Sequence, residues 1–266
     1  MDRIREAVNR ARDEQPAQAG SPGKNRPTAS AHAPRPGQAP QAVECDRDIC
    51  AEHRIISNEH DPVLNAYRVL RTRTLQMMEA NNWRTIAVVS PTSGAGKTVT
   101  AINLAIAIGS KEGSRATLVD FDFYRPRVAR YMGLDHPPSV LDYFEGSKSL
   151  HEVILHPDLS NTFVMANERV SRRGAEHLTS PKVDDVIDAA LNKYQSRVVV
   201  FDVPPVLGCD DTIAFLPKVD CALLIAASGE TRVRDVKEAQ RMLGGVNLVG
   251  TVLNKAPAAV VNNAYY

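Results

Sequence analysis

The stretch TIAVVSPTSGAGKT (residues 85–98) decides the fold. It reads as a short apolar run, a glycine-bearing turn and, with TAINLAIAIGS (100–110) behind it, a helix. A turn from a strand into a helix aims several backbone N–H groups and the positive end of a helix dipole at one point, which suits a polyphosphate. Gly94 and Gly96 let the backbone approach without a Cβ in the way, Lys97 sets an ammonium against β- and γ-phosphates, and the Thr98 hydroxyl is placed to ligate Mg²⁺. The usual spacing G-x4-G-K-[ST] calls for glycine at 91, where this chain has Pro91. The flanking strand and helix outweigh that departure. The loop predicts binding of ATP or GTP through Ser93, Gly94, Ala95, Gly96, Lys97, Thr98 and Val99.

Outward from the loop, apolar runs alternate with helical stretches. The runs are ATLVDF (116–121), TFVMAN (162–167), RVVVFD (197–202), CALLIAA (221–227) and NLVGTVLN (247–254); the helical stretches fall at 61–80, 181–193 and 231–243. This alternation is the signature of βαβ units, and strands that are apolar throughout are buried on both faces. The expected fold is α/β: a mostly parallel sheet flanked by helices on both faces. A core of this size, roughly 200 residues, forms one domain that buries about 70% of its unfolded surface.

Two strand ends are acidic. Asp120 and Asp122 close the run at 116–121, and Asp202 closes the run at 197–202. In an open parallel sheet the carboxyl ends of the strands converge on one crevice, so these side chains can reach a Mg²⁺-nucleotide. Mg²⁺ takes one or two carboxylates with phosphate oxygens, and a further carboxylate can orient or deprotonate an attacking hydroxyl. Asp210 and Asp211 read instead as caps of the helix that follows them.

Composition narrows the partners. With 32 Lys+Arg against 31 Asp+Glu the formal charge is +1, which excludes a generally basic nucleic-acid binder. The chain has no apolar run of the ~18 residues a membrane span needs, and residues 1–15 lack the apolar segment of a secretory signal, so a cytoplasmic protein is expected. The four cysteines match neither a zinc site nor a disulfide framework and read as reduced thiols. Residues 15–42 are rich in Pro, Ala and Gly and read as a disordered tether. Ahead of them Ile4, Ala7, Val8 and Ala11 recur at helical spacing, and two readings stand: a docking helix for a partner or membrane surface, and a frayed solvated helix. The expected organisation is a helix and tether over 1–57, a nucleotide-binding domain over 58–256, and a flexible tail over 257–266.

The segments SPTSGAGKT, LVDFDFYRP and VVVFDVPP, in this order and followed by VGTVLN, resemble the bacterial tyrosine kinases of capsule and exopolysaccharide synthesis. These belong to the same P-loop NTPase group as the partition and cell-division-site ATPases. The resemblance covers about residues 59–256 and includes EHLTSPKVDDVI and the GETR turn at 229–232. It implies ATP-dependent tyrosine phosphorylation on a neighbouring copy, with ATP and Mg²⁺ as cofactors. Lys97 would bind phosphates, Thr98, Asp120 and Asp202 would hold the metal, Asp122 with Asp120 would activate the hydroxyl, and Asn254 sits where relatives use an amide to read adenine. Tyr265 and Tyr266 would be the phosphoacceptors, although a chance pair is the competing reading. The implied partners are a homo-oligomer and a membrane-bound polysaccharide co-polymerase or chain-length regulator, which would activate the kinase and recruit it to the inner face of the plasma membrane.

Three positions depart from the resemblance. Tyr124 stands where an Arg is common, Asn65 replaces the Glu of E-x-x-R-x-x-R while Arg68 and Arg71 are kept, and the tyrosine run is short. Two other functions fit the same motifs: a partition-type, ATP-switched ATPase, and an ATP-binding regulator of polysaccharide export without strong transfer chemistry. Partition ATPases carry an extra lysine five residues before the invariant one; Thr92 occupies that position here.

Overall fold

Along the central strand, Ile86 and Val88 enter one hydrophobic core while Ala87 and Val89 enter a second. This follows from the two-residue period of a strand whose faces are both covered. A computed structural model of the chain describes residues 39–58, 61 and 63–257. In it eight strands form one sheet: β1 (Gln41–Val43), β2 (Thr85–Val89), β3 (Ala116–Asp120), β4 (Leu155–Pro157), β5 (Thr162–Met165), β6 (Val198–Asp202), β7 (Cys221–Ala227) and β8 (Asn247–Asn254). Their order is β1-β4-β5-β3-β6-β2-β7-β8, with every pair parallel except β4 with β5.

Helices cover both faces as the sequence predicts. Leu75 and Met78 of the helix Leu64–Ala80, and Ile102 and Leu104 of the helix Lys97–Gly109, fill the first core. The second core takes Phe144 from Val140–Glu145, Val183 and Val186 from Lys182–Asp188, Phe215 from Asp211–Phe215 and Ala239 from Val233–Met242. Phe121 lies at its centre against Phe123, Phe144, Phe201 and Phe215, at ring-centroid distances of 5.2–5.7 Å. Among the described residues no helix is long and apolar enough to cross a membrane.

The sheet also recruits chain that the sequence reading left outside the domain. β1 pairs with β4, and Cys45, Cys50, Ile55 and Ile56 are buried in the first core. Apolar periodicity could not reveal this segment, because it is held by single long-range bonds. Asp46 caps the helix Arg47–Glu52, Cys45 N–H donates to Asp158 Oδ1 at 2.9 Å, and Ile56 N–H donates to Asn103 Oδ1 at 2.9 Å. The globular unit therefore begins well before residue 58. The helical reading at residues 4–11, the tether up to residue 38, and Tyr265 and Tyr266 lie outside the described residues.

Gly109 ends its helix directly against the turn before β5. A Cβ there would lie 2.7 Å from the Asn161 carbonyl oxygen and overlap Thr162 Oγ1. Backbone cannot yield as a side-chain tip can, so Gly109→Ala is expected to cost about 1–3 kcal/mol, read from urea denaturation. An unchanged midpoint and slope would show that this packing is softer than the geometry says.

Candidate functional site

The phosphate loop is shaped by its own residues and by a neighbouring strand end. Gly94 and Gly96 both have φ of +87°, a left-handed conformation that side chains with a Cβ rarely adopt. Ser90 Oγ donates to the Thr92 carbonyl at 2.8 Å. From the segment after β6, Val206 N–H reaches the Ser90 carbonyl at 2.9 Å and Leu207 N–H reaches the Pro91 carbonyl at 3.1 Å. The helix begins at Lys97 with no side chain capping it, so its first N–H groups remain for a ligand. Loop and helix open on a cavity of about 690 Å³ lined by Gly94, Gly96, Lys97, Thr98, Asp122, Pro204, Pro205 and Lys255 among others.

Behind this cavity the two acidic strand ends meet. Asp120 and Asp202 are direct partners across β3 and β6, and both are fully buried. Lys97 Nζ lies 2.5 Å from Asp202 Oδ1 and 3.5 Å from Asp122 Oδ2. Burial works against the Lys97 ammonium, but Asp202, Asp122 and Asp120 outweigh it and hold its pKa above the ordinary lysine value. Burial likewise raises Asp202, opposed by Lys97, and raises Asp120 further because Asp202 stands beside it.

Each acid has a distinct position. Asp120 is committed to backbone: one oxygen accepts Asp122 N–H at 3.1 Å, the other Arg127 N–H at 3.1 Å and Val128 N–H at 3.0 Å. It fixes the turn that aims Asp122. Asp122 faces the cavity, with one oxygen toward Lys97 and the other accepting Arg125 N–H at 3.0 Å. Asp202 keeps Oδ2 buried with no hydrogen-bond partner, and the Thr98 hydroxyl lies close to its carboxylate.

These residues fit a Mg²⁺-nucleotide. Three buried carboxylates face a single ammonium, and an orphan carboxylate oxygen lies beside a threonine hydroxyl. A hard divalent cation with a triphosphate matches that donor set. Thr98 and Asp202 would hold the ion, and Lys97 with the loop N–H groups would hold the phosphates. The bound ion supplies neutralisation of the phosphate charge.

Asp211 differs from its simplest sequence reading, and the Asn254 amide has partners within the protein. Asn254 donates from Nδ2 to the Ala95 carbonyl at 2.9 Å and accepts Lys255 N–H at 2.9 Å. Neither Asp210 nor Asp211 caps its own helix with its side chain. Asp211 is buried with its Oδ2 unpaired, close to the start of the neighbouring helix Gly174–Thr179, where a Cβ on Gly174 would collide with it. The sequence reading missed Arg127, Tyr131, Leu207 and Cys209 as cavity walls, and it noted Tyr124 and Arg125 without placing them there. Their signal was positional, since residues directly after strand ends line the crevice of a parallel sheet.

The family model described as "ParA: NUBPL iron-transfer P-loop NTPase" matches residues 81–262. The chain belongs to the ParA family of P-loop NTPases. It is similar to the protein named putative tyrosine-protein kinase EpsB of Ralstonia solanacearum, 27% identical over 196 residues, which cover 73% of this chain and 26% of that protein. The tyrosine-protein kinase CpsD of Streptococcus pneumoniae serotype 4 is 27% identical over 186 residues, 69% of this chain and 81% of CpsD. Among solved structures, the kinase domain of the Escherichia coli tyrosine kinase ETK superposes with a TM-score of 0.66 at 25% identity, covering 76% of this chain and 81% of that one. The septum site-determining protein MinD of Pyrococcus horikoshii, solved with Mg-ADP, has a TM-score of 0.54 at 21% identity over 68% of this chain and 76% of MinD, a likeness of fold. A ParA-type P-loop NTPase binds nucleotide with Mg²⁺, in keeping with the donor set above. The chain spans about a quarter of EpsB's length.

Proposed function

We propose that this protein is an ATP-dependent protein-tyrosine autokinase of exopolysaccharide or capsule synthesis. The observation that carries the reading is Asp122, which faces the cavity beside Lys97 while Asp120 and Asp202 stay buried behind it. A carboxylate so placed can take the proton of a phenol as its oxygen attacks the γ-phosphorus and ADP leaves. The similarity to CpsD and to the ETK kinase domain supports the same chemistry. Tyr265 and Tyr266 of a neighbouring copy are the proposed acceptors, and each phosphate would add ~2 negative charges that push copies apart. A membrane-bound chain-length regulator is the proposed activator, holding the protein at the inner face of the plasma membrane. We also keep the proposed division into a segment preceding the nucleotide domain, the domain itself, and an acceptor tail over 257–266.

Incubation of the full chain with ATP and Mg²⁺, followed by phosphotyrosine mapping, tests the reading. Tyr265→Phe with Tyr266→Phe is expected to remove most of the phosphotyrosine while nucleotide affinity stays unchanged. Phosphate absent from wild type, even with the activator's cytoplasmic segment present, would leave the ATP-switched ATPase. That second reading is favoured by the ParA family match and opposed by Thr92 at the position of the partition lysine.

A further inference from the structure

We infer that Arg127 is a second phosphate-binding cation of the nucleotide site, and that Tyr131 and His53 are the positioning residues that aim it. The charges of the site call for such a cation. Asp120, Asp122 and Asp202 all act on the Lys97 ammonium, so carboxylates outnumber it. With Mg²⁺ offsetting that excess, the charge of a triphosphate falls to the loop N–H groups and to further cations on the cavity wall. Arg125, Arg127 and Lys255 line that wall. Lys255 Nζ is already paired with Glu230 at 2.8 Å. Arg125 is fixed through its backbone N–H to Asp122, but its guanidinium has no hydrogen bond or ion pair among the described residues.

Arg127 is held at both ends. Its backbone N–H donates to Asp120 Oδ2 at 3.1 Å, and its Nη1 donates to the Tyr131 hydroxyl at 3.0 Å, with the guanidinium carbon 6.0 Å from the centre of that ring. Among the described residues no carboxylate pairs with it, so the rest of the fork is left for phosphate oxygens. Tyr131, which also lines the cavity, is set in turn by a distant part of the chain. The His53 ring stacks on it at 4.3 Å between centroids and 25° between planes. His53 closes the helix Arg47–Glu52, and that segment is seated on the turn after Tyr131. Asp46 N–H donates to the Gly133 carbonyl at 3.3 Å, and Cys50 Sγ reaches the Met132 carbonyl at 3.6 Å. Gly133 has φ of +61°, and a Cβ there would lie 2.5 Å from Asp46 Cβ. The segment after β1 thus ends on an aromatic face that backs one wall of the nucleotide cavity. A cation arranged in advance binds more tightly than one the ligand must order.

Binding alone is read, so the tyrosine-kinase reading stands or falls separately. Affinity of the full chain for Mg-tripolyphosphate, which has neither base nor sugar, is measured by competition against fluorescent Mg-ADP. Arg127→Gln is expected to weaken it about 10- to 100-fold, the worth of one charged hydrogen bond. Arg125→Gln should cost less, because that guanidinium has to be ordered by the ligand. Tyr131→Phe, which keeps the ring and removes the hydroxyl, and His53→Ala should each cost about 2- to 10-fold. Both of these losses should vanish in the Arg127→Gln background, where there is no guanidinium left to position. A merely structural role would carry the same loss into both backgrounds, and that result would overturn the part assigned to Tyr131 and His53. Tripolyphosphate affinity unchanged in Arg127→Gln would overturn the phosphate role, whatever happens to Mg-ADP. Equal losses in Arg127→Gln and Arg125→Gln would overturn it too, by reducing Arg127 to one more positive charge near the site.

Discussion

Lys97→Met is expected to destabilise the ligand-free protein as well as abolish nucleotide binding. In most phosphate loops the lysine reaches toward ligand; here it is packed against Asp202 and Asp122 with almost no solvent exposure. Truncating one partner of a buried ion pair typically costs about 3–5 kcal/mol, because the remaining charge is left without compensation. At this site the remaining charges belong to a fully buried Asp120–Asp202 pair with Asp122 alongside. Urea denaturation in the presence of a chelator measures the effect. Asp202→Asn in the Lys97→Met background should recover part of the loss, since it removes one of the repelling carboxylates. Mg²⁺ should then stabilise the single Lys97→Met variant more than the double variant. A Lys97→Met protein as stable as wild type would mean that the ammonium does not serve as the counter-charge of this cluster.

The second large effect belongs to Asp122→Asn. The amide preserves the volume and can still accept Arg125 N–H at the oxygen now 3.0 Å away, so the turn should hold. It cannot take a proton. Loss of a positioned general base typically lowers the chemical step by about 10²–10⁴-fold. Phosphotyrosine formation should fall by that factor while Mg-ADP affinity is unchanged, the pattern of an interaction made in the transition state. The same substitution at Asp120 should behave differently, because that carboxylate accepts three backbone N–H groups. Asp120→Asn is expected to lower stability and transfer together. Equal kinetic and stability profiles for the two variants would erase the distinction between the acid that acts and the acid that shapes the turn.

Much of the site was legible because its parts are local. The loop at 90–98 carries its own glycines, lysine and threonine, and the apolar runs around it have the length and composition of doubly covered strands. β3, β6, β7 and β8 lie where those runs lie, and the chemistry-bearing acids sit at two of their ends. The short β1 and β4, three residues each, had no such pattern to betray them. The chain after β1 is held through Asp158, which follows β4, and through Asn103, residues distant in the chain whose role no local reading could assign.

By itself, the sequence determined that this is an α/β phosphate-binding protein and which residues stand at the ends of its strands, because period, run length and turn chemistry are properties of neighbouring residues. Only the tertiary structure decided what each of those residues does. It divided three buried acids into one that lines the cavity and two that lie behind it, turned Asp211 toward another helix, and set Asn254 beneath Ala95. Such roles depend on which partner a buried polar atom finds across the sheet, and burial makes that choice costly to change.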